Sequence, residues 1–291
     1  MKVSGFTFVR NAILYDYPIR EAILSILPLC DELIVAVGDS EDDTLAYIQS
    51  IASDKIKIIE TIWDDRLSEG GRVLAVETNK AFQAIAQDAD WAFYIQGDEV
   101  LHEQYIPIIR DAMQANLENK KIDGLLFHYK HFYGSYNYVG NSSSWYPNEI
   151  RVIRNNKNIY SYRDAQGFRK NEDEKLQVKQ IEAFIYHYGW VKEPKAMQEK
   201  QKTFQRLWHD EAEAAERVGT KEEYEYENNP QSLKKFTGTH PELMKERIQR
   251  LNWEFDYDPK QYKKTIKEGF KRFCKKRLGL DFSYQNYKLL P

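Results

Sequence analysis

The sequence predicts an α/β fold built on a largely parallel sheet, and three observations support it. Residues 33–37 (LIVAV) are wholly apolar, as in a strand that is buried on both faces of a parallel sheet. Residues 19–27 carry apolar side chains at the spacing of an amphipathic helix. Such strands and helices alternate along the first half of the chain, which implies right-handed crossovers between parallel strands.

The elements of this first half follow one another in a regular order. Val3–Val9 is the first predicted strand, and Asp16 and Pro18 then indicate a helix start, with Asp as the cap and Pro in the first turn. The elements predicted after residues 33–37 are a helix at 44–52, a strand at 56–62, a helix at 71–87, a strand at 91–95 and a helix at 104–113.

Beyond residue 123 the pattern changes to strands with few helices between them. These strands are predicted at residues 125–133, 149–154, 159–162 and 182–188. Residues 133–147 are rich in Gly, Ser, Asn and Tyr, which predicts a long loop. From Pro194 onward the chain is predicted to be helical and charged, with breaks near Gly219 and Pro230.

Composition excludes several classes of protein. Of the 291 residues 42% are hydrophobic, which is enough to form a core and rules out wholesale disorder. No apolar run approaches the roughly 18–20 residues of a membrane span, and we expect no signal peptide. The two cysteines, Cys30 and Cys274, form neither a disulfide framework nor a zinc-binding spacing. The expected location is therefore the cytoplasm.

Charge is distributed unevenly along the chain, whose net charge is −3. The body is acidic, which argues against a nucleic-acid partner. Residues 260–291 carry ten Lys and Arg against two acids, and residues 262–278 have the pattern of a basic amphipathic helix. Such a helix either docks on the rest of the protein or makes peripheral contact with an anionic membrane surface.

Four of the predicted strands are each followed by polar residues. In an open parallel sheet, ligands bind just beyond the carboxyl ends of the strands, which is where these residues would lie. They occupy residues 10–11, 38–44, 66–72 and 96–99. The sequence therefore predicts a binding cleft at this edge of the sheet.

These segments together resemble family 2 glycosyltransferases, which have the GT-A fold. Ser40, Asp42 and Thr44 match the family's motif after the second strand, and WAFYIQGDEVL lies where the family has a strand ending in Asp-x-Asp. The resemblance covers about residues 3–190. Gln96 replaces the first acid of the Asp-x-Asp, and Asp39 follows a glycine where the family has an acidic pair.

The resemblance implies a GT-A-like (Rossmann-like), mostly parallel sheet flanked by helices over residues 1–205. The helical and charged pattern of the later residues predicts a helical extension over 206–291. Residues 1–122 would form the nucleotide-sugar half and residues 123–205 the acceptor half. The resemblance also implies an inverting, metal-dependent glycosyltransferase of surface-polysaccharide biosynthesis. The donor would be a nucleotide-diphosphate sugar, and the acceptor a glycan, a lipid-linked group or another hydroxyl.

The resemblance also implies site residues. Those expected to bind the nucleotide sugar are Arg10, Asn11, Asp39, Asp42, Arg72, Gln96, Gly97 and Asp98. Asp98 and His187 are the expected ligands of Mn²⁺ or Mg²⁺, and the imidazole favours Mn²⁺. Each has a structural alternative: Asp98 can be a turn residue before a helix, and His187 a core histidine.

The acceptor side offers two candidates for the base that deprotonates a hydroxyl. Asp164 is the first choice and Glu149 its competitor, while Arg151 and Arg154 are expected to contact phosphate or to stabilise the loop. Trp145 and Tyr146 are the candidates for acceptor binding, since aromatic faces pack well on sugar rings. The histidines other than His187 show no ligand spacing, and we expect them to be structural or exposed.

Two other functions remain open. A sugar-1-phosphate nucleotidyltransferase uses a related sheet and metal, but normally has a Gly-rich basic loop after the first strand, which residues 5–18 lack. A degenerate transferase that only binds a glycan or nucleotide sugar is the second alternative, and Gln96 keeps it open.

Overall fold

A computed structural model describes residues 1–67, 69–142, 144–206, 213, 221–228, 232–258, 262 and 285–291, and it has a large mixed sheet at its centre. In the N-terminal half, four parallel strands alternate with helices. The elements of this half are β1 (Val3–Val9), α1 (Ile19–Ile26), β2 (Glu32–Gly38), α2 (Thr44–Gln49), β3 (Ile56–Thr61), α3 (Arg72–Gln83), β4 (Trp91–Tyr94), β5 (Glu99–Leu101) and α4 (Ile106–Ala115). The order β4-β1-β2-β3 is parallel throughout, as the alternation predicts.

Most strands of the second half join the same sheet, in both directions, and three short ones form a separate sheet. Its elements in the described residues are β6 (Gly124–Tyr133), β7 (Ser135–Gly140), β8 (Asn148–Arg154), β9 (Ile159–Ser161), β10 (Phe168–Lys170), β11 (Glu174–Lys175), β12 (Gln177–Trp190), α5 (Pro194–Arg206), β13 (Leu233–Lys235), α6 (Lys245–Gln249) and β14 (Lys288–Leu289). β8 lies between β4 and β6 and is antiparallel to both, while β12 pairs in parallel with β6. The predicted α/β class with helices flanking the sheet is confirmed.

Helices cover both faces of the parallel strands, as the binary pattern requires. Ile19 and Ile23 of α1 are fully buried in a core cluster that also contains β2 residues such as Leu33. On the opposite face, Phe82 of α3 packs on Phe6 of β1 with ring centroids 5.2 Å apart. Each buried side chain of this size contributes about 1.5–3 kcal/mol, so these two faces fix the sheet between its helices.

The structure differs from the prediction at the start of α1. The helix begins at Ile19, and Asp16 does not cap it but adopts a left-handed conformation with φ 47°. The Asp16 carboxylate instead forms an ion pair with Arg247, at 2.7 Å. A long-range charge pair has therefore replaced the expected local hydrogen bond.

The predicted long loop at 133–147 is wrong in part, because it contains β7. Gly134, with φ 70°, turns the chain directly from β6 into β7, and the two strands pair in antiparallel fashion. A Cβ at Gly134 would lie 2.5 Å from the Phe255 ring, so glycine is also needed there for space. The turn has no Asn-Gly or Pro signal, so composition alone indicated a loop.

The C-terminal part of the chain is less helical than predicted where it is described. β13 pairs with β7 and β14 pairs with β12, so the region predicted as a helical extension contributes two strands to the central sheet. The predicted basic helix at 262–278 lies outside the described residues except for 262, and so do Gly219, Pro230 and Cys274. The division into 1–205 and 206–291 stays a prediction. Among the described residues, no helix has the length and apolar character needed to cross a membrane.

Candidate functional site

A cleft of about 1580 Å³ opens at the carboxyl ends of β1 and β4, where the sheet topology predicts a ligand. Residues from α5 and from β6, β8 and β12 complete its walls. The predicted site residues that line this cleft are Arg10, Asn11, Gln96, Gly97, Asp98, Trp145, Tyr146, Glu149, Asp164 and His187. Residues that are far apart in the sequence are thus brought to one cavity.

The loop after β2 holds the loop after β1 through side chain to backbone hydrogen bonds. Thr44 Oγ1 accepts from the Ala12 N–H at 2.7 Å. Asp42 Oδ2 accepts from the N–H groups of Ile13 and Leu14, at 3.0 and 2.8 Å. The Ser-x-Asp-x-Thr motif therefore builds the frame of the cleft.

Asn11 and Arg10 extend this frame to the edge of the cleft. Asn11 is buried with φ 53°, its Oδ1 accepts from the Glu41 N–H at 2.8 Å, and its own N–H donates to Ser40 Oγ at 3.1 Å. Arg10 Nε donates to the carbonyl oxygen of Asp39 at 2.9 Å. Both residues hold the two loops together while facing the cavity.

Three predicted nucleotide-binding residues do not line the cleft. Asp39 turns its carboxylate to the Trp63 N–H and to Arg10, at 3.2 and 3.6 Å. Asp42 is occupied by the backbone of its neighbouring loop and by Thr44. Arg72 is exposed at the start of α3, whereas the next residue, Val73, is buried and lines the cleft.

A buried ion pair fixes the turn that carries Asp98. Arg151, which is 2% exposed, donates to both carboxylate oxygens of Glu99, at 2.6 and 2.8 Å. Glu99 Oε2 also accepts from the Gln96 N–H at 3.1 Å and so closes the turn around Asp98. Arg151 therefore stabilises this loop, whereas Arg154 donates to backbone carbonyls elsewhere, one of them at 3.1 Å.

Asp98 is surrounded by positive charge. Lys200 Nζ lies 3.2 Å from Asp98 Oδ2 and also donates to the carbonyl oxygen of Gly189 at 3.0 Å. His187 Nε2 lies 3.7 Å from Asp98 Oδ1. Burial alone would raise the pKa of Asp98, but Lys200, His187 when it is protonated, and Lys192 hold it below its ordinary value. The carboxylate is consequently ionised at any physiological pH.

A second histidine sets the proton position on His187. His131 Nε2 lies 2.8 Å from the carbonyl oxygen of Tyr146, which only accepts, so this nitrogen carries a hydrogen. Burial, with a smaller effect of His187, lowers the pKa of His131 to about 3, so its Nδ1 is an acceptor. The contact of 3.4 Å between the two Nδ1 atoms then requires the hydrogen on His187 Nδ1. In neutral His187, the Nε2 lone pair consequently faces Asp98.

Gly189 lies directly against these two groups, so that only a residue without a side chain fits there. A Cβ at this position would lie 2.6 Å from Asp98 Oδ2 and 2.7 Å from His187 Nε2. Two acceptor atoms that face each other in this way are suited to a small cation. Among the described residues, no cluster of three or more His, Cys, Asp or Glu could hold a metal, so the protein would supply two ligands here.

The two candidate bases both line the cleft, Glu149 from β8 and Asp164 from the segment between β9 and β10. Glu149 is 9% exposed, and its Oε2 has no hydrogen-bond partner in the described part of the chain. Burial raises the pKa of Glu149 to about 8, against the opposing effect of Arg151. Burial also raises the pKa of Asp164, which lies between two residues in the left-handed region, Arg163 with φ 54° and Ala165 with φ 60°.

The two predicted acceptor-binding aromatics are packed on the wall of the cleft. Trp145 lies over His131 with ring centroids 5.2 Å apart, and its indole fills the space where Gly140 has no side chain. Tyr146 meets His131 edge-on at 4.3 Å and is 41% exposed. Tyr146 therefore has the larger free surface toward a ligand.

Two residues of the site were not predicted from the sequence. Lys200 was assigned only to a region predicted to be helical and charged, although the spacing Met197, Lys200, Phe204 places it on the apolar side of α5. His131 was expected to be structural or exposed, because nothing local marks its contact with His187. The helical spacing was a signal from which the position of Lys200 could have been predicted. His131 had no such signal, because only the pairing of β6 with β12 brings it next to His187.

Comparisons with known proteins concern the fold. No protein-family model matches the chain, and no curated protein matches it. Among solved structures, it is similar to residues 1–349 of TarS from S. aureus, with a TM-score of 0.39 and 14% identity over 75% of this chain and 69% of that one. The TarS fragment has also been solved in complex with UDP.

Two further solved structures show similarity of the same kind. One is glucosyl-3-phosphoglycerate synthase from Mycobacterium tuberculosis in complex with Mn²⁺, UDP and phosphoglyceric acid, with a TM-score of 0.30 and 24% identity over 45% of this chain and 43% of that one. The other is 4-diphosphocytidyl-2C-methyl-D-erythritol synthase from Anaerococcus prevotii, with a TM-score of 0.40 and 12% identity over 66% of this chain and 89% of that one.

Proposed function

We propose that the protein transfers a glycosyl group from a nucleotide-diphosphate sugar to an acceptor hydroxyl, with inversion. The observation that carries this proposal is a cleft that joins an ionised carboxylate among cations, Asp98, with a second carboxyl group of raised pKa, Glu149. Transfer needs both features, because the diphosphate leaves with negative charge and the hydroxyl must lose a proton. We expect the nucleotide to bind at the frame built by the loops after β1 and β2.

Asp98 and His187, whose Oδ1 and Nε2 lie 3.7 Å apart, would hold a divalent metal, Mn²⁺ or Mg²⁺. The donor set of one carboxylate oxygen and one imidazole nitrogen favours Mn²⁺. Donor phosphate oxygens would complete its coordination. Bound there, the metal would neutralise charge on the diphosphate.

The base proposed for the acceptor hydroxyl is Glu149, with Asp164 as its competitor. Glu149 has a buried oxygen without a partner in the described residues and a pKa near the working pH, which suits proton transfer. Its carboxylate would take the hydroxyl proton while the hydroxyl oxygen attacks the anomeric carbon. The bond from that carbon to the diphosphate oxygen breaks in the same displacement, which inverts the configuration. Tyr146 would support the acceptor sugar.

Nucleotide binding tests the donor site. UDP, GDP, CDP and dTDP are titrated by calorimetry with and without Mn²⁺, and the sugar donor of the best ligand is then assayed for release of its nucleoside diphosphate. We expect one nucleotide to bind more tightly with Mn²⁺, and Asp98→Asn to remove that gain. Asp88→Asn, at an exposed ion pair with Lys2, is the matched control and should bind as the wild type does.

The other outcomes would overturn the proposal. Binding without turnover against water or any acceptor would indicate a non-catalytic binding protein. Release of pyrophosphate from a nucleoside triphosphate and a sugar 1-phosphate would indicate a nucleotidyltransferase. Absence of binding for all four nucleotides would contradict a donor site altogether.

The choice of base is tested by two isosteric variants. Glu149→Gln should abolish turnover and leave nucleotide affinity unchanged, while Asp164→Asn retains turnover with the pH profile of the wild type. The reverse pattern would assign the proton transfer to Asp164.

A further inference from the structure

Lys200 is a buried ammonium group that faces the cleft. Its side chain is 9% exposed, and it projects from α5 to lie 3.2 Å from Asp98 Oδ2 and 3.0 Å from the carbonyl oxygen of Gly189. The ammonium also lies 5.2 Å from the ring centroids of Tyr17 and Phe204. An ammonium has three N–H donors, and these two acceptors use only two of them.

The two oxygens of Asp98 serve different neighbours. Oδ1 is 3.7 Å from His187 Nε2, on the side that fits a metal, and Oδ2 is 3.2 Å from Lys200. A cation at the first oxygen and the ammonium at the second are therefore compatible. The Asp98 carboxylate would thus hold two positive charges, a metal at one oxygen and the Lys200 ammonium at the other, where the proposed diphosphate would lie.

We propose that Lys200 is a second, metal-independent cationic anchor that contacts the diphosphate of the donor directly. This inference rests on the proposed function and adds a residue to its site. Lys200 lines the same cleft as Asp98, and its third N–H is the donor for a phosphate oxygen. The structure places this charge on α5, whose residues form part of the cleft wall.

Binding in the absence of metal tests this anchor. The wild type is titrated with UDP and with inorganic pyrophosphate, in Mn²⁺ and in EDTA. Pyrophosphate is used because it has no nucleobase, so its binding reports on the diphosphate site alone. We expect measurable affinity in EDTA, reduced about 10–100-fold in Lys200→Gln, because a hydrogen bond between charged groups is lost. Lys200→Arg keeps the charge and should recover part of that affinity.

Two matched variants separate this anchor from the metal and from the helix. Lys202→Gln alters a half-exposed lysine of the same helix, paired with Glu199 at 2.5 Å, and should bind as the wild type does. His187→Ala should lose the gain from Mn²⁺ and keep the affinity measured in EDTA. Thermal melting checks that each variant is folded.

A measurement on the wild type covers the case in which Lys200→Gln does not fold. The Lys200 ζ-ammonium resonance, followed by ¹⁵N NMR, should shift when pyrophosphate is added in EDTA. The proposal is overturned by an unchanged resonance, by affinity in EDTA within twofold of the wild type in Lys200→Gln, or by wild-type binding that requires Mn²⁺ entirely. Absence of diphosphate binding with and without Mn²⁺ would instead refute the proposed function itself.

Discussion

The two walls of the cleft are held by opposite kinds of contact. On the wall formed after β1 and β2, side chains such as Asp42 and Asn11 bond to backbone groups of the neighbouring loop. On the wall formed by β8, β12 and α5, charged side chains bond to one another across long stretches of sequence, as Arg151 does with Glu99. The first wall is a frame of satisfied backbone groups, and the second concentrates charge. We therefore expect substitutions on the second wall to have the larger effects.

The largest effect is expected at Arg151. Arg151→Met leaves the Glu99 carboxylate buried without its cationic partner, which should lower the free energy of unfolding by about 3–5 kcal/mol. Urea unfolding measures this change. Arg163→Met, at an exposed arginine, should stay within about 0.5 kcal/mol of the wild type. Equal losses in both variants would show that the two walls do not differ as described.

Glu149 should contribute a loss of stability as the pH rises, opposite in sign to the effect of buried histidines such as His131, whose lowered pKa makes stability increase up to about pH 6.5. The pKa of Glu149 is raised from 4.5 to about 8, so the folded state keeps a proton that the unfolded chain releases. The contribution of Glu149 is then lost as the pH rises from 4.5 through 8, and Glu149→Gln should abolish that loss. At pH 8 and above, we expect the variant to be more stable by about 1–3 kcal/mol. Urea unfolding at pH 5, 6.5 and 8 gives the comparison, and a constant difference between the two proteins would contradict it.

A smaller effect is expected on the first wall. Asp42→Ala removes the acceptor for the N–H groups of residues 13 and 14 and should cost about 1 kcal/mol of stability, as the loss of a helix cap does. Nucleotide affinity would fall only through loosening of this loop. Hydrogen exchange of the two amides measures the opening directly, and protection as in the wild type would show that the frame does not depend on Asp42.

The smallest effect is expected at Arg72. Because it is exposed at the start of α3 and outside the cleft wall, Arg72→Met should change neither stability, beyond about 0.5 kcal/mol, nor nucleotide affinity. Titration with the nucleotide that binds the wild type checks this. A clear loss of affinity would restore Arg72 to the nucleotide site.

The same contrast explains what the sequence could predict. β2 was predictable from its unbroken apolar run, and Ser40, Asp42 and Thr44 from a local motif, because neighbours in sequence determine both. Lys200 and His131 were missed, since their partners come from other strands and only the sheet pairing brings them together. Asp16 was misassigned for the same reason: its partner, Arg247, lies 231 residues away.

The position of β8 has a consequence for how the chain folds during synthesis. β8 is inserted between β4 and β6, yet it begins at residue 148, whereas β4 ends at residue 94. At about 5–20 residues per second, the wholly apolar strand Trp91–Tyr94 would leave the ribosome about 3–10 s before its β8 neighbour. During that interval the edge of β4 that later pairs with β8 has no partner. Chaperones that bind exposed apolar strands would be able to bind the nascent chain there.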